Sequence, residues 1–166
     1  MTRIDHHGRA GLRDSGVVVG FTSCAEFGSY ALVHPVIRRL PAEHYLTVEK
    51  GLLHTFGRAM PPLFIGSTAL AIANASVGGG AGGPAVWRWL GAGFLIAALV
   101  STVIVNVPIN IAIVNVPINI ATEKWDPQQP PADWKSIRYR WNVFNAVRCW
   151  LLLIGFVLIC VGFSIR

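Results

Sequence analysis

The sequence has few charged residues for its length: 13% of its 166 residues are Asp, Glu, Lys or Arg, whereas 53% are hydrophobic. A soluble domain usually carries about a quarter charged residues. The charges are also segregated, and four long stretches hold at most one of them: 17–33, 61–86, 90–122 and 149–165. As a helix, each is roughly long enough to cross a hydrocarbon core about 30 Å thick. Because so small a soluble protein cannot hide four helices that are apolar on every side, a membrane protein is predicted.

Cysteine is also scarce. The three cysteines, Cys24, Cys149 and Cys160, all lie in apolar stretches and no two are close in sequence. Such an odd, scattered set indicates neither a disulfide framework nor a zinc cluster, so we expect small side chains packed between helices. No run of Lys and Arg interleaves with aromatic residues. The net charge of +6 therefore predicts contact with lipid headgroups rather than nucleic acid.

The order of apolar stretches predicts an all-α integral membrane four-helix bundle with a kinked third helix, preceded by a polar N-terminal tail, 1–16. The predicted helices are 17–36, 62–77, 88–121 and 134–165. Eight basic residues lie in the two long loops and five on the opposite side. Because basic residues concentrate on the cytoplasmic side, we expect cytoplasmic long loops and a location in the bacterial inner membrane.

The third predicted helix contains a nine-residue unit, IVNVPINIA, written twice over 104–121. One straight helix over 90–121 would be about 48 Å long at 1.5 Å per residue, which is more than a bilayer needs. Each copy carries a proline, Pro108 or Pro117, and a proline inside a helix tends to kink it. We therefore expect a kink near Pro108 and a helix that leaves the membrane after about Asn115.

Each copy also contains two asparagines four residues apart, Asn106 with Asn110 and Asn115 with Asn119. On the functional interpretation, one pair lines a polar pocket at the end of the helix. On the structural interpretation, the amides satisfy carbonyls that the prolines leave free, or bridge neighbouring helices.

Ionisable side chains interrupt the first apolar stretch. Glu26 lies in its middle, and Tyr30 and His34 follow at successive spacings of four, which places all three on one side of a helix. A carboxylate in hydrocarbon costs about 2.5–3.5 kcal/mol on insertion scales, so such a residue usually faces the bundle. An acid, a phenol and an imidazole in a dry pocket can transfer protons. A purely structural hydrogen-bond network is the alternative.

A second polar stripe enters the last apolar stretch at helical spacing: Trp134, Arg138, Trp141, Asn145 and Arg148. A belt of interfacial tryptophans with arginines that reach the headgroups explains Trp134 and Arg138. It explains Arg148 less well, because Arg148 lies deeper. We expect Arg148 to pair with Glu26 or with an asparagine of the third helix.

The segment 38–60 has helix-like spacing and several charged residues. We interpret it as a solvated amphipathic connection; alternatively Glu49 or His54 reaches the site. No H-E-x-x-H or comparable metal-binding spacing occurs in the sequence.

Three motifs, HPVIRRLP, NVPIN and WDPQQPPADWKSIRYRWNVFNAVR, together resemble the anthrone oxygenase family over most of the chain. The resemblance implies a small four-helix membrane protein that inserts oxygen at the central carbon of an anthrone, in polyketide pathways, without flavin or haem. Molecular oxygen is then the co-substrate, and no other cofactor is needed. The site residues it implies are His34, the NVPIN asparagines, Trp141, Asn145 and Arg148.

Three functions remain open from the sequence. The first is a cofactor-independent oxygenase acting on a polycyclic phenol, with His34 or Glu26 as base and with Asn145 and Arg148 stabilising negative charge; Tyr30, Arg138 and Trp141 would help to bind this small aromatic substrate. The second is a non-catalytic subunit that holds a quinone, a lipid or a partner protein, as a homo-oligomer or with a membrane partner. The third is a haem or metal protein that uses His34, His54 and Glu26.

Overall fold

Helices form every regular element in the part of the chain described by the computed structural model, residues 6–77, 83–103 and 115–165. Their bounds are α1 His6–Gly28, α2 His34–Ile37, α3 Ala42–Val77, α4 Gly83–Val103, α5 Asn115–Lys124 and α6 Trp134–Ser164. The four long helices, α1, α3, α4 and α6, pack on one another. The predicted all-α membrane bundle is thus confirmed.

The first helix starts earlier than its predicted range, 17–36. α1 begins at His6, so a large part of the predicted polar tail, 1–16, continues the helix. Because the tail has no apolar run, hydropathy alone places the boundary too late.

The winding changes where the first helix approaches its end. A π-helical turn, Ser29–Val33, separates α1 from α2 and closes with a hydrogen bond from the His34 backbone N–H to the Ser29 carbonyl. Pro35 follows immediately. Since proline has no N–H and its ring crowds the carbonyl four residues earlier, the regular α-helical ladder is interrupted just before it.

The second predicted helix, 62–77, is only the C-terminal half of a longer one. α3 runs unbroken through most of the predicted connection, 38–60, and through Pro61 and Pro62. Each proline removes a backbone donor. The next buried residues on either side, Met60 and Phe64, belong to the main core, and this packing keeps the helix continuous.

The third predicted helix, 88–121, corresponds to two described helices, α4 and α5. The predicted kink near Pro108 lies outside the described residues. The second copy of the repeated unit contributes the start of α5, which contacts α3, α4 and α6. The fourth predicted helix, 134–165, corresponds closely to α6.

Glycines allow α4 and α6 to approach closely. A Cβ atom added at Gly91 would lie 2.7 Å from the Gly155 carbonyl oxygen and 3.2 Å from the Ile159 nitrogen. Only a hydrogen atom fits between the backbones there, so these small residues let helix backbones pack tightly where lipid supplies no hydrophobic driving force.

Three described segments are long and apolar enough to cross a membrane: Ser15–Ile37, Gly83–Thr102 and Trp134–Ser164. α3, whose C-terminal half carries the fourth predicted span, is not among them. Its N-terminal half holds the charged residues of the connection, and it forms one wall of the cavity described next.

Candidate active site

A cavity of about 480 Å³ is lined by residues from all six helices, at the end of the bundle near the loops 38–41 and 125–133. This volume is within the range of small-molecule sites, which are mostly apolar with a few placed polar groups. Phe56, Met60 and Phe64 provide apolar walls. The polar and ionisable residues that line it are Glu26, Ser29, His34, Glu49, His54, Arg58, Thr102, Glu123, Trp141, Asn145 and Arg148.

A buried ion pair between the first and last long helices lines the cavity. Arg148 Nη2 donates to Glu26 Oε2 at 2.8 Å and to Asn145 Oδ1 at 2.6 Å. All three residues are buried. Charges inside a membrane protein need such partners, and the expected pairing of Arg148 with Glu26 is the one observed. The side-chain amide of Asn145 and the guanidinium of Arg148 belong to residues that line the cavity.

A second buried ion pair joins α6 to α3. Arg138 is 2% exposed; its Nη2 donates to Glu49 Oε1, and its Nε donates to Tyr45 Oη at 3.1 Å. The interfacial interpretation of Arg138 is therefore wrong, because the guanidinium is enclosed by protein. Burial raises the pKa of Glu49 above its ordinary value, although the Arg138 charge opposes that shift. Burial likewise raises the pKa of Tyr45.

Aromatic stacking connects the second ion pair to His34. The Arg138 guanidinium lies over the Trp141 ring, 4.2 Å from its centroid, and the His34 ring lies on Trp141 with centroids 5.1 Å apart. Two ring nitrogens in this stack, His34 Nδ1 and Trp141 Nε1, are buried without a hydrogen-bond partner among the described residues. Because buried polar atoms are almost always paired, these nitrogens indicate a site built to contact something else.

The outer part of the cavity is bordered by α3 and α5. His54 Nε2 lies 3.5 Å from Glu123 Oε1, and both side chains are about half exposed. Arg58 and Ile120 also line this region and are exposed. The inner part of the cavity is therefore lined by buried ion-paired residues, and its outer part by exposed charged ones.

A model of the anthrone oxygenase family matches residues 52–158, well over half of the chain. The chain belongs to the anthrone oxygenase family. No curated protein and no solved structure matches it. Three of its described helices are apolar and long enough to cross a membrane. Together with the family match, they identify the chain as a membrane protein of the anthrone oxygenase family. The matched segment includes Trp141, Asn145 and Arg148, whereas Glu26 and His34 precede it.

Five of the site residues predicted from the sequence line one cavity in this anthrone oxygenase family member: Glu26, His34, Trp141, Asn145 and Arg148. They come from three helices, α1, α2 and α6, and the last of these is far from the other two in sequence. Arg138 is not among the lining residues; its guanidinium stacks on Trp141 and binds Glu49, which both line the cavity.

The remaining predicted residues are placed differently. Tyr30 is half-buried, and its ring packs edge-on with that of Phe27, with the ring centroids 6.1 Å apart; it is not among the residues that line the cavity. Asn106 and Asn110 lie outside the described residues. Asn115 and Asn119 belong to α5, for which the description at these two positions covers the backbone only.

Glu49 is the main residue that sequence reasoning underrated. It is 1% exposed and completes the cavity wall, contrary to the preferred interpretation of a solvated face. The available signal was Arg138: an arginine entering an apolar stretch requires a carboxylate, and the segment 38–60 carries two, Glu43 and Glu49.

Two further features bear on the other functional hypotheses. No group of three or more His, Cys, Asp or Glu side chains suited to a metal ion occurs in the described part of the chain. A second hollow, of about 690 Å³, lies on the outside of α4 and α6 and is lined by apolar side chains such as Trp89 and Phe94. It offers no ionisable group, so its surface suits acyl chains.

Proposed function

We propose that this anthrone oxygenase family member is a cofactor-independent membrane oxygenase that binds a flat polycyclic phenol of the anthrone type in the cavity between α1, α3 and α6. The observation that carries the proposal is the convergence of His34, Glu26, Asn145 and Arg148 on one cavity of about 480 Å³. Family membership supports oxygen chemistry, and the aromatic and aliphatic walls suit a fused-ring substrate.

The reaction requires a base because the substrate's central methylene must lose a proton before oxygen can add. Glu26 is held by Arg148 at 2.8 Å, whereas His34 Nδ1 is free of hydrogen bonds to the described residues. His34 is therefore the better base of the two. Its ring is held against Trp141, which keeps the imidazole oriented toward the substrate.

The resulting carbanion, delocalised into the phenolic rings, reacts with molecular oxygen to form a carbon–oxygen bond and a peroxide anion. Protonation gives a hydroperoxide. Loss of the second proton from the same carbon, with cleavage of the O–O bond, yields the ketone and water. The balance is one CH₂ group and one O₂ giving one C=O group and one H₂O, so no external reductant is consumed.

Arg148 and Asn145 stabilise the negative charge that appears on oxygen during these steps. Their side chains are positioned before the reaction by the contact with each other and by Glu26. Preorganised donors of this kind in a water-poor cavity are typically worth about 10²–10³ in kcat each.

The expected location is the bacterial inner membrane with the long loops in the cytoplasm. The cavity lies at the loop end of the bundle, so in this orientation the substrate enters from the cytoplasmic side.

Oxygen consumption by detergent-purified protein tests the proposal, using a small panel of anthrones and hydroquinones with product absorbance as the second readout. We expect uptake with an anthrone, and a loss of at least about 100-fold in kcat for His34→Ala, because a positioned base contributes about 10²–10⁴. His44→Ala is the matched control, since His44 is exposed on α3 and away from the cavity.

Full turnover in His34→Ala would show that the base is misassigned. Saturable binding of the aromatic compounds without any oxygen uptake by the wild-type protein would instead identify a non-catalytic binding subunit.

A further inference from the structure

The Glu49 carboxylate is bound by Arg138 and lies close enough to Tyr45 for that phenol to lower its pKa. Its Oε1 accepts a hydrogen bond from Arg138, but its Oε2 is buried without a hydrogen-bond partner among the described residues. The side chain is 1% exposed and lines the cavity. A carboxylate held only as a counter-ion for Arg138 gains by engaging both oxygens, since a guanidinium can bind a carboxylate in a bidentate fashion. Here the pairing is not bidentate: Glu49 Oε2 and Arg138 Nη1 both remain without a partner among the described residues, in a side chain pair whose carboxylate residue lines the cavity.

The chemistry of the proposed reaction supplies a task for this oxygen. Two protons must leave the same carbon, and they project from opposite faces of a flat ring. After His34 removes the first and oxygen adds on that face, the remaining hydrogen points to the other face. A second base is then required, and Glu49 lines the same cavity from α3 whereas His34 lines it from α2.

We infer that Glu49 is a further catalytic residue of this cavity, and that its Oε2 removes the second proton from the oxygen-bearing carbon of the substrate. The electron pair of the C–H bond forms the new C=O bond while the O–O bond breaks and hydroxide leaves. The hydroxide then takes the proton from Glu49, which forms water and regenerates the carboxylate. This inference rests on the proposed function.

The surroundings of Glu49 suit a base that works without solvent. Burial makes its carboxylate more basic than an exposed one. Arg138 fixes one oxygen and thereby orients the other, and Tyr45 in turn accepts a hydrogen bond from Arg138. Since the same guanidinium lies over Trp141, against which His34 packs, Arg138 is a positioning residue for both bases.

The experiment compares Glu49→Gln with the wild-type protein in oxygen uptake with an anthrone, followed by rapid quenching and mass measurement of the organic products. We expect kcat to fall at least about 100-fold, with less than about a threefold change in KM, and the substrate hydroperoxide to accumulate. Accumulation arises because the first proton transfer and oxygen addition still occur. Glu43→Gln is the matched control, because Glu43 is exposed on the same helix.

A purely structural role makes a different prediction. If Glu49 only balances the Arg138 charge, the double variant Glu49→Gln/Arg138→Gln, which buries no unpaired charge, accumulates no hydroperoxide. That result, normal turnover in Glu49→Gln, or slow turnover without hydroperoxide would each overturn the inference. If Glu49→Gln does not fold, the double variant carries the same hydroperoxide test. A wild-type protein inactive toward every anthrone would instead refute the proposed function itself.

Discussion

Two arginines of α6 are buried at the cavity, and each is neutralised by a glutamate from a different helix. Arg148 pairs with Glu26 of α1, and Arg138 pairs with Glu49 of α3. Desolvation makes an isolated buried charge very costly, and a partner with good geometry offsets most of that cost. In each pair the two buried charges have opposite signs, so the pairs leave no net buried charge.

At the scale of single residues, we predict that Glu26→Gln lowers stability by about 3–5 kcal/mol, because Arg148 then remains buried without a counter-charge. Unfolding can be followed by thiol labelling of Cys149, which is fully buried and lies 3.5 Å from the Glu26 carbonyl, in a Cys24→Ser/Cys160→Ser background. The exposed Arg140 provides a control, Arg140→Gln. The double variant Glu26→Gln/Arg148→Gln should recover much of the loss; an equally unstable double variant would contradict this account.

At the scale of elements, the π turn Ser29–Val33 determines where His34 points. A π turn accommodates one more residue than an α-helical turn, because its hydrogen bond spans five residues instead of four. The π turn takes up the extra residue. Residues before and after it therefore face the same side as they would in a regular helix that is one residue shorter. This turn brings His34, at the start of α2, into the cavity that Glu26 of α1 also lines.

Deletion of Leu32, which is 73% exposed, tests this role of the turn. We expect the π turn to revert to a regular turn, His34 to remain in the cavity, and oxygen uptake to stay within several-fold of the wild type. Deletion of Phe21, which is 62% exposed in the regular part of α1, is the matched comparison. It turns the two halves of α1 by about 100° relative to each other and should abolish uptake. Equal loss in both deletions would show that the π turn does not buffer the register.

At the scale of the whole molecule, the cavity depends on how tightly the rest of the bundle is packed. α4 and α6 are in close contact along glycines, and the core formed with α1 and α3 is made of small and aliphatic side chains such as Ala92, Leu95 and Ile159. This closely packed part holds one half of α6, and the other half carries the site residues. One half of α6 therefore packs against the other helices, and the other half lines the cavity.

We predict that Gly91→Ala lowers the stability of the bundle by about 1–3 kcal/mol, the usual cost of overpacking, because the new Cβ would lie 2.7 Å from the Gly155 carbonyl oxygen. Gly93→Ala is the control, since a Cβ there meets nothing within 4 Å and alanine favours the helix. The melting temperature in detergent measures both. A Gly91→Ala protein as stable as the control would mean that the two helices are less closely packed than the structure has them.

The spacing of residues in the sequence was sufficient to predict that the site residues of α6 share one face of the helix. Trp141, Asn145 and Arg148 recur at spacings of four and three, and a regular helix places such residues together regardless of its neighbours. The same reasoning was insufficient for Tyr30, because the π turn follows directly on α1 and its ring packs on Phe27.

By itself, the sequence determined that this is an all-helical membrane protein, since long uncharged apolar runs are stable only when they are helical and removed from water. It also determined that Glu26 and Arg148 need partners, because a lone charge in hydrocarbon is too costly. Only the tertiary structure decided which carboxylate meets which arginine, and that Glu49 joins the cavity. Those outcomes depend on the continuation of α3 through Pro61 and Pro62 and on the relative register of packed helices, which contacts between distant segments set.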